Sequence, residues 1–109
     1  MPSDAYSFRF TDNAYAELDE ILNYISSALT NKEAAAAFLD ELKSKINEIC
    51  QFPQSGQIIE NEYLLHSEVR KILVKNYIVY YLADDFNKDI IILCLTYGRR
   101  NQEQILKKL

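Results

Sequence analysis

The hydrophobic period changes once along this chain, and that change restricts the fold more than any other feature. As far as Gln51 the apolar residues recur at helical spacing after a short alternating start. From Val69 to Tyr97 they come instead in runs rich in Ile, Val, Leu and Tyr, separated by turn residues. Clustered helices followed by a run of strands predict an α+β fold, with a helical hairpin packed on one face of an antiparallel sheet.

Residues 6–10 set Tyr6, Phe8 and Phe10 against Ser7 and Arg9, the alternation of a short strand. Thr11 or Asp12 suits an N-cap. Ala14, Leu18, Ile21, Leu22, Ile25 and Leu29 then share one helical face, while Glu17, Asp19 and Glu20 suit the early turns and the positive end of the dipole. Thr30-Asn31-Lys32-Glu33 fits a capping box with Thr30 at the cap, and Ala35, Phe38, Leu42, Ile46 and Ile49 form the stripe of a second helix. The alanines at 34–37 predict a close helix–helix contact. Phe52-Pro53 ends the helix, because the residue before proline is pushed out of the helical region. A connection this short predicts an antiparallel hairpin of helices.

Residues 54–68 contain Ser55-Gly56 without sustained period and read as a loop. Strands are expected at 69–75, 77–83 and 89–97, joined by Lys75-Asn76 and by residues 84–88 into an antiparallel meander. The third run is apolar nearly throughout and is expected at the centre of the sheet. The first strand should lie beside it, where its backbone groups find partners. Residues 101–109 suit a short C-terminal helix with Ile105, Leu106 and Leu109 on one side. Residues 1–109 thus read as one domain in the order β-α-α-β-β-β.

Composition excludes several classes. At 49% hydrophobic and 26% charged over 109 residues, the chain is not of the disordered type. No apolar stretch approaches the roughly 20 residues of a membrane-spanning helix. The start MPSDAYSFRF lacks the basic and apolar regions of an export signal, so a cytoplasmic location is expected. Cys50 and Cys94 are isolated and read as small buried hydrophobes. With His66 the one histidine, a zinc set is not available, and neither metal nor small-molecule cofactor is expected.

The net charge of −4 is unevenly placed: residues 1–66 sum to −7 and residues 67–109 to +3. A late acid-accepting surface fits this split, whereas the overall acidity opposes tight, sequence-independent grip on RNA. Arg70, Lys71 and Lys75 on the first meander strand, with Arg99 and Arg100 after the last, are expected to converge at one end of the sheet. Such a patch suits phosphate or the carboxylates of a partner protein. His66, of a type able to act as a general base, reads as a surface loop residue. Asp84, Asp85 and Asp89 flank a turn without the spacing of a calcium loop and read as solvated. Of Tyr77, Tyr80 and Tyr81, two should share a sheet face.

Taken in order, Phe10-Thr11-Asp12-Asn13-Ala14, Leu18…Ile21…Tyr24-Ile25, Phe52-Pro53-Gln54-Ser55-Gly56, Val69-Arg70-Lys71-Ile72, Asn76-Tyr77-Ile78-Val79-Tyr80-Tyr81 and Tyr97-Gly98-Arg99-Arg100 resemble the blocks of the RelE/ParE toxin superfamily. The resemblance implies the toxin half of a bacterial type II toxin–antitoxin module, also known as a plasmid stabilization protein. It further implies neutralisation by a small cognate antitoxin that wraps the toxin's grooves and sheet edge.

Two activities occur in that superfamily. RelE-like members cleave messenger RNA on the ribosome with a cluster of basic residues and a C-terminal tyrosine or histidine. Arg70 or Lys71 and Arg100 match basic positions of that set. Its arginine after the strand tyrosine falls on Ile78, and its C-terminal tyrosine falls near Leu106. ParE-like members share the fold and poison DNA gyrase. The two long helices, the Phe-Pro-x-x-Gly turn and the Tyr-Gly-Arg-Arg ending resemble this branch more closely. The resemblance therefore implies a protein–protein inhibitor rather than an enzyme, with Arg70, Lys71, Lys75, Arg99 and Arg100 as contacts for target or antitoxin. A ribosome-dependent endoribonuclease and a non-toxic binding module of the same fold stay open as alternatives.

Overall fold

The computed structural model describes residues 5–28, 30–59 and 69–98. Strand β1 (Ser7–Phe10) leads into helix α1 (Asp12–Asn23), a π-helical turn (Tyr24–Ala28) and helix α2 (Lys32–Gln51). The two-residue strand β2 (Gln57–Ile58) follows, and then β3 (Val69–Val74), β4 (Tyr77–Asp84) and β5 (Asp89–Tyr97). The fold is α+β, as the change of period predicts. The suggested helix over 101–109 lies outside the described residues.

Thr11 begins α1. Its hydroxyl accepts the Ala14 N–H at 3.0 Å and donates to the Leu93 carbonyl at 3.1 Å, so one side chain both caps the helix and ties it to β5. The expected helix out to Leu29 is shortened. Ser26 Oγ donates to the Leu22 carbonyl at 2.8 Å and competes for a group that α-helical backbone would use. The repeat widens over Tyr24–Ala28 accordingly. Leu29 itself is outside the described residues.

The cap of α2 is Asn31, not Thr30. Thr30 adopts φ 50 as the chain reverses, and the Asn31 side chain accepts the Ala34 N–H at 2.9 Å in its place. The alanine run is also used differently from expectation. Ala34 and Ala35 pack partly on the core, while Ala36 and Ala37 are exposed.

The sheet order is β1-β5-β4-β3-β2. Strands β3, β4 and β5 form the expected antiparallel meander, and β1 lies beside β5 in parallel, from Ser7↔Asp89 to Phe10↔Ile92. Strand β5 is interior, but β4 occupies the middle. The reason is β2, which pairs with β3 through Gln57↔Lys71 and Ile58↔Arg70 and adds a strand on the far side. Two residues are too few to show a period, so this segment read as loop.

Strand β5 carries a bulge. Tyr80 pairs with Cys94 and Tyr81 with Ile92, which leaves Leu93 as the extra residue. The bulge resets the alternation, so Ile90 and Ile92, and then Leu95, all face the helices. There Ala14, Ile21, Ile25, Phe38, Leu42, Ile46 and Ile49 pack against Val74, Val79, Tyr81, Ile90, Ile92 and Leu95. Burying a side chain such as Leu42, 1% exposed, contributes about 2 kcal/mol. Val69, Ile78, Tyr80 and Cys94 form a smaller cluster on the opposite face. Tyr77 and Tyr81 therefore share the helix-facing side, and Tyr80 takes the other. Both cysteines are free and buried, and burial pushes the Cys94 thiol up to about 12.

Candidate functional site

The basic residues of β3 and of the turn after it divide between the two ends of the sheet. Arg70 faces the turn that follows α2: its Nη1 donates to the Gly56 carbonyl at 2.9 Å and to the Gln54 carbonyl at 3.4 Å. The Tyr81 hydroxyl reaches the same turn. It accepts the Gly56 N–H at 2.9 Å and donates to the Pro53 carbonyl, also at 2.9 Å. Glycine is required here, because a Cβ at position 56 would lie 2.5 Å from the Tyr81 hydroxyl. Burial pushes the Tyr81 hydroxyl above its ordinary pKa, against the lowering effects of the Gly56 N–H and the Arg70 charge.

Lys75 lies at the other end, in the β3–β4 turn at φ 55. Its backbone N–H donates to Glu41 Oε2 at 3.2 Å, and its Nζ is 3.4 Å from Glu41 Oε1. The backbone donor, ahead of the ammonium, holds the Glu41 carboxyl below its ordinary range. Five positions of strand separate Arg70 from Lys75, about 16 Å. Lys71 is half-buried beside Gln57, Ile72 and Leu73. Arg99, Arg100 and His66 lie outside the described residues. The chain is last described at Gly98, whose N–H donates to the Asn76 carbonyl at 2.9 Å, at the Lys75 end. Ile78, where the ribonuclease branch places an arginine, is 7% exposed and packs among Val69, Tyr80 and Cys94.

The Lys75 end also holds a wide opening. A groove of about 880 Å³ runs between the π-helical turn, α2 and the β3–β4 turn, lined by Tyr24, Ala34, Ala37, Phe38, Tyr77 and Tyr97. Phe38, Tyr77 and Tyr97 stack edge to face at 5.4 and 5.6 Å and build its wall. A hollow of about 270 Å³ continues past Tyr24 and Tyr97 to Glu17 and Glu20. It opens where β1 stops at Phe10, opposite Ile92: among the described residues no strand pairs with the outer side of β5 beyond that point. Side chains and backbone of the α1 start fill in: the Thr11 N–H donates to the Ile92 carbonyl at 3.0 Å, and the Leu95 N–H to Glu17 Oε1 at 2.9 Å.

An apolar floor, an aromatic wall and carboxylates at one end suit an amphipathic segment of a partner protein. Sequence reasoning did not assign Tyr24, Ala37 or Tyr97 to a site. The available signal was a tyrosine off the helical stripe and an alanine run longer than the contact between the two described helices needs. Among the described residues, no group of three or more His, Cys, Asp or Glu is placed to hold a metal, and no helix is long and apolar enough to cross a membrane. Asp84 is not merely solvated. Its carboxylate accepts from the Phe86 N–H, the Asn87 N–H and Asn87 Nδ2, and these bonds, the Asn87 side chain first, hold it below its ordinary pKa.

Comparison with known proteins agrees with this architecture. A chain of the chromosomal ParDE TA system from P. aeruginosa superposes with a TM-score of 0.66 at 21% identity, covering 87% of this chain and 98% of that one. The toxin–antitoxin complex RelBE2 from Mycobacterium tuberculosis gives 0.61 at 19% identity, covering 85% and 98%. The isolated E. coli RelE toxin gives 0.57 at 18% identity, covering 96% and 100%. These likenesses show the shared fold. No curated protein matches the sequence significantly. Residues 8–102 match the family described as ParE toxin of type II toxin-antitoxin system, parDE, so the chain belongs to the ParE toxin family.

Proposed function

We propose that this ParE-family toxin acts by protein–protein inhibition, with DNA gyrase as its target, in the cytoplasm. One observation carries the choice against RNA cleavage. The position that the ribonuclease branch fills with a phosphate-binding arginine is Ile78, buried in an apolar cluster. Phosphoryl chemistry needs cationic donors and a titratable group within reach of the scissile bond. Of the described cations at positions 70, 71 and 75, Arg70 donates to the carbonyls of Gln54 and Gly56 and the exposed Lys75 faces Glu41, while Lys71 is half-buried.

The cognate antitoxin is the second partner. Solved relatives include toxin–antitoxin complexes, and the groove walled by Tyr24, Phe38 and Tyr97 has the shape and polarity for an amphipathic antitoxin segment. Lys71, Arg99 and Arg100 are the cations proposed to meet carboxylates of antitoxin or target. Arg70 braces that surface through the carbonyls of Gln54 and Gly56, and Lys75 stands exposed at the groove beside Glu41.

Induced expression without antitoxin is the test. Filamentation with a DNA-damage response, and inhibition of purified gyrase, are the expected results. Rapid translation arrest with cuts in the ribosomal A site would reverse the reading. Normal growth would leave a binding module without toxicity. Arg100→Ala should leave the fold intact and weaken toxicity or antitoxin binding; no change in either would remove that residue from the contact surface.

A further inference from the structure

The β4–β5 turn presents a phenyl ring to water. Phe86 is 95% exposed, at a tip where chains ordinarily place Gly, Asn, Asp or Ser. The tip is braced rather than loose. Asp84 accepts the backbone N–H groups of Phe86 and Asn87, and also the Asn87 side-chain amide. The Tyr6 hydroxyl donates to Asp85 Oδ1 at 2.6 Å, and Lys88 Nζ sits 5.5 Å from the Tyr6 ring centroid. Asp85, the residue before Phe86, lines a hollow of about 540 Å³ together with Tyr6, Phe52, Pro53 and Gln54. Phe52 is itself 64% exposed. A knob and a hole therefore adjoin on one surface, with a cation, Lys88, flanking the knob and a carboxylate, Asp85, flanking the hole.

We propose that this surface pairs with a second copy of the same chain about a two-fold axis. Phe86 of each copy enters the partner's Phe52–Tyr6 hollow, and Lys88 of each meets Asp85 across the interface. A two-fold contact uses one patch twice, so it requires knob, hole and both charge signs on that patch. The tip satisfies this. A braced aromatic loses little conformational freedom on docking. Each phenyl covers about 200 Å². With the walls they meet and Phe52, the two reach only the lower range of specific interfaces, about 1,200 Å². The dimer is accordingly weak and depends on concentration. It leaves the Tyr24–Tyr97 groove open, because that groove lies at the far end of β5, about 26 Å away. The pairing does not depend on which cellular target the toxin has.

Sedimentation velocity and equilibrium on the purified chain, from about 1 µM to about 1 mM, spanning the range of weak constants, test this directly. The mass should rise from 12.7 kDa toward twice that value. Phe86→Ser, at an exposed position that does not threaten folding, should weaken association at least about 30-fold, roughly 2 kcal/mol. Asp85→Lys and Lys88→Asp should each weaken it, and the double reversal should restore it. A monomer at every concentration would overturn the proposal, as would a dimer indifferent to Phe86→Ser. Failure of the double reversal would overturn the charge pairing.

Discussion

The two ends of the sheet use similar residues to different effect. At the Gly56 end, a tyrosine hydroxyl, a guanidinium and a glycine close on one another, and the Pro53 carbonyl and both backbone groups of Gly56 are bonded inside the fold. At the Lys75 end, tyrosines stack along the wall of an open groove, and carboxylates stand at its margin. Substitutions at the first end should therefore act on stability, and at the second on binding. A residue's type does not separate these roles; Arg70 and Tyr81 would suit a contact surface as well as Tyr24 or Tyr97.

The largest effect is expected from Gly56→Ala. The added Cβ must displace the buried Tyr81 ring and break its bonds to the turn, a loss of about 3 kcal/mol in urea unfolding. A near-neutral result would mean that the closed end is looser than described. Tyr81→Phe leaves the ring but strands the Gly56 N–H and the Pro53 carbonyl, at about 2 kcal/mol by the same measurement.

Tyr24→Ala should behave oppositely, with an unchanged unfolding midpoint and about tenfold weaker antitoxin binding by calorimetry, near 1.4 kcal/mol. A stability loss as large as that of Tyr81→Phe would erase the contrast between the ends. Arg70→Ala should cost about 1 kcal/mol of stability while toxicity per folded molecule stays the same. The smallest effect concerns Glu41. Its carboxyl is held below its ordinary pKa, so its contribution is present above the unfolded carboxylate pKa and fades as pH falls through the folded one. Glu41→Gln should flatten the acid limb of a stability-versus-pH curve, and an unaltered limb would show the Lys75 contact to be inconsequential.

Much of the architecture was legible because it rests on local rules. Thr11 caps α1 through its own hydroxyl, and the β3–β4–β5 meander follows from runs separated by turn residues. The misreadings fell where two local solutions compete or where no period can form. Thr30 and Asn31 are both good caps, and the left-handed turn at Thr30 decided between them. Strand β2 is too short to announce itself, and its pairing with β3 moved the middle of the sheet to β4. The placement of Arg70 was also hidden. A guanidinium on a strand is equally suited to solvent, a partner or a turn carbonyl, and only the return of the chain after α2 selects among them.

By itself the sequence determined the element order, the α+β class and the helix-facing stripe, because periodicity and capping are properties of neighbouring residues. The tertiary structure alone decided the phase of β5 after the Leu93 bulge, the opening of the groove beyond the end of β1, and which cations the fold consumes. Those depend on where distant backbone groups need partners. Residues 25 or more positions apart, such as Gly56 and Tyr81, carry no trace of that need in their spacing.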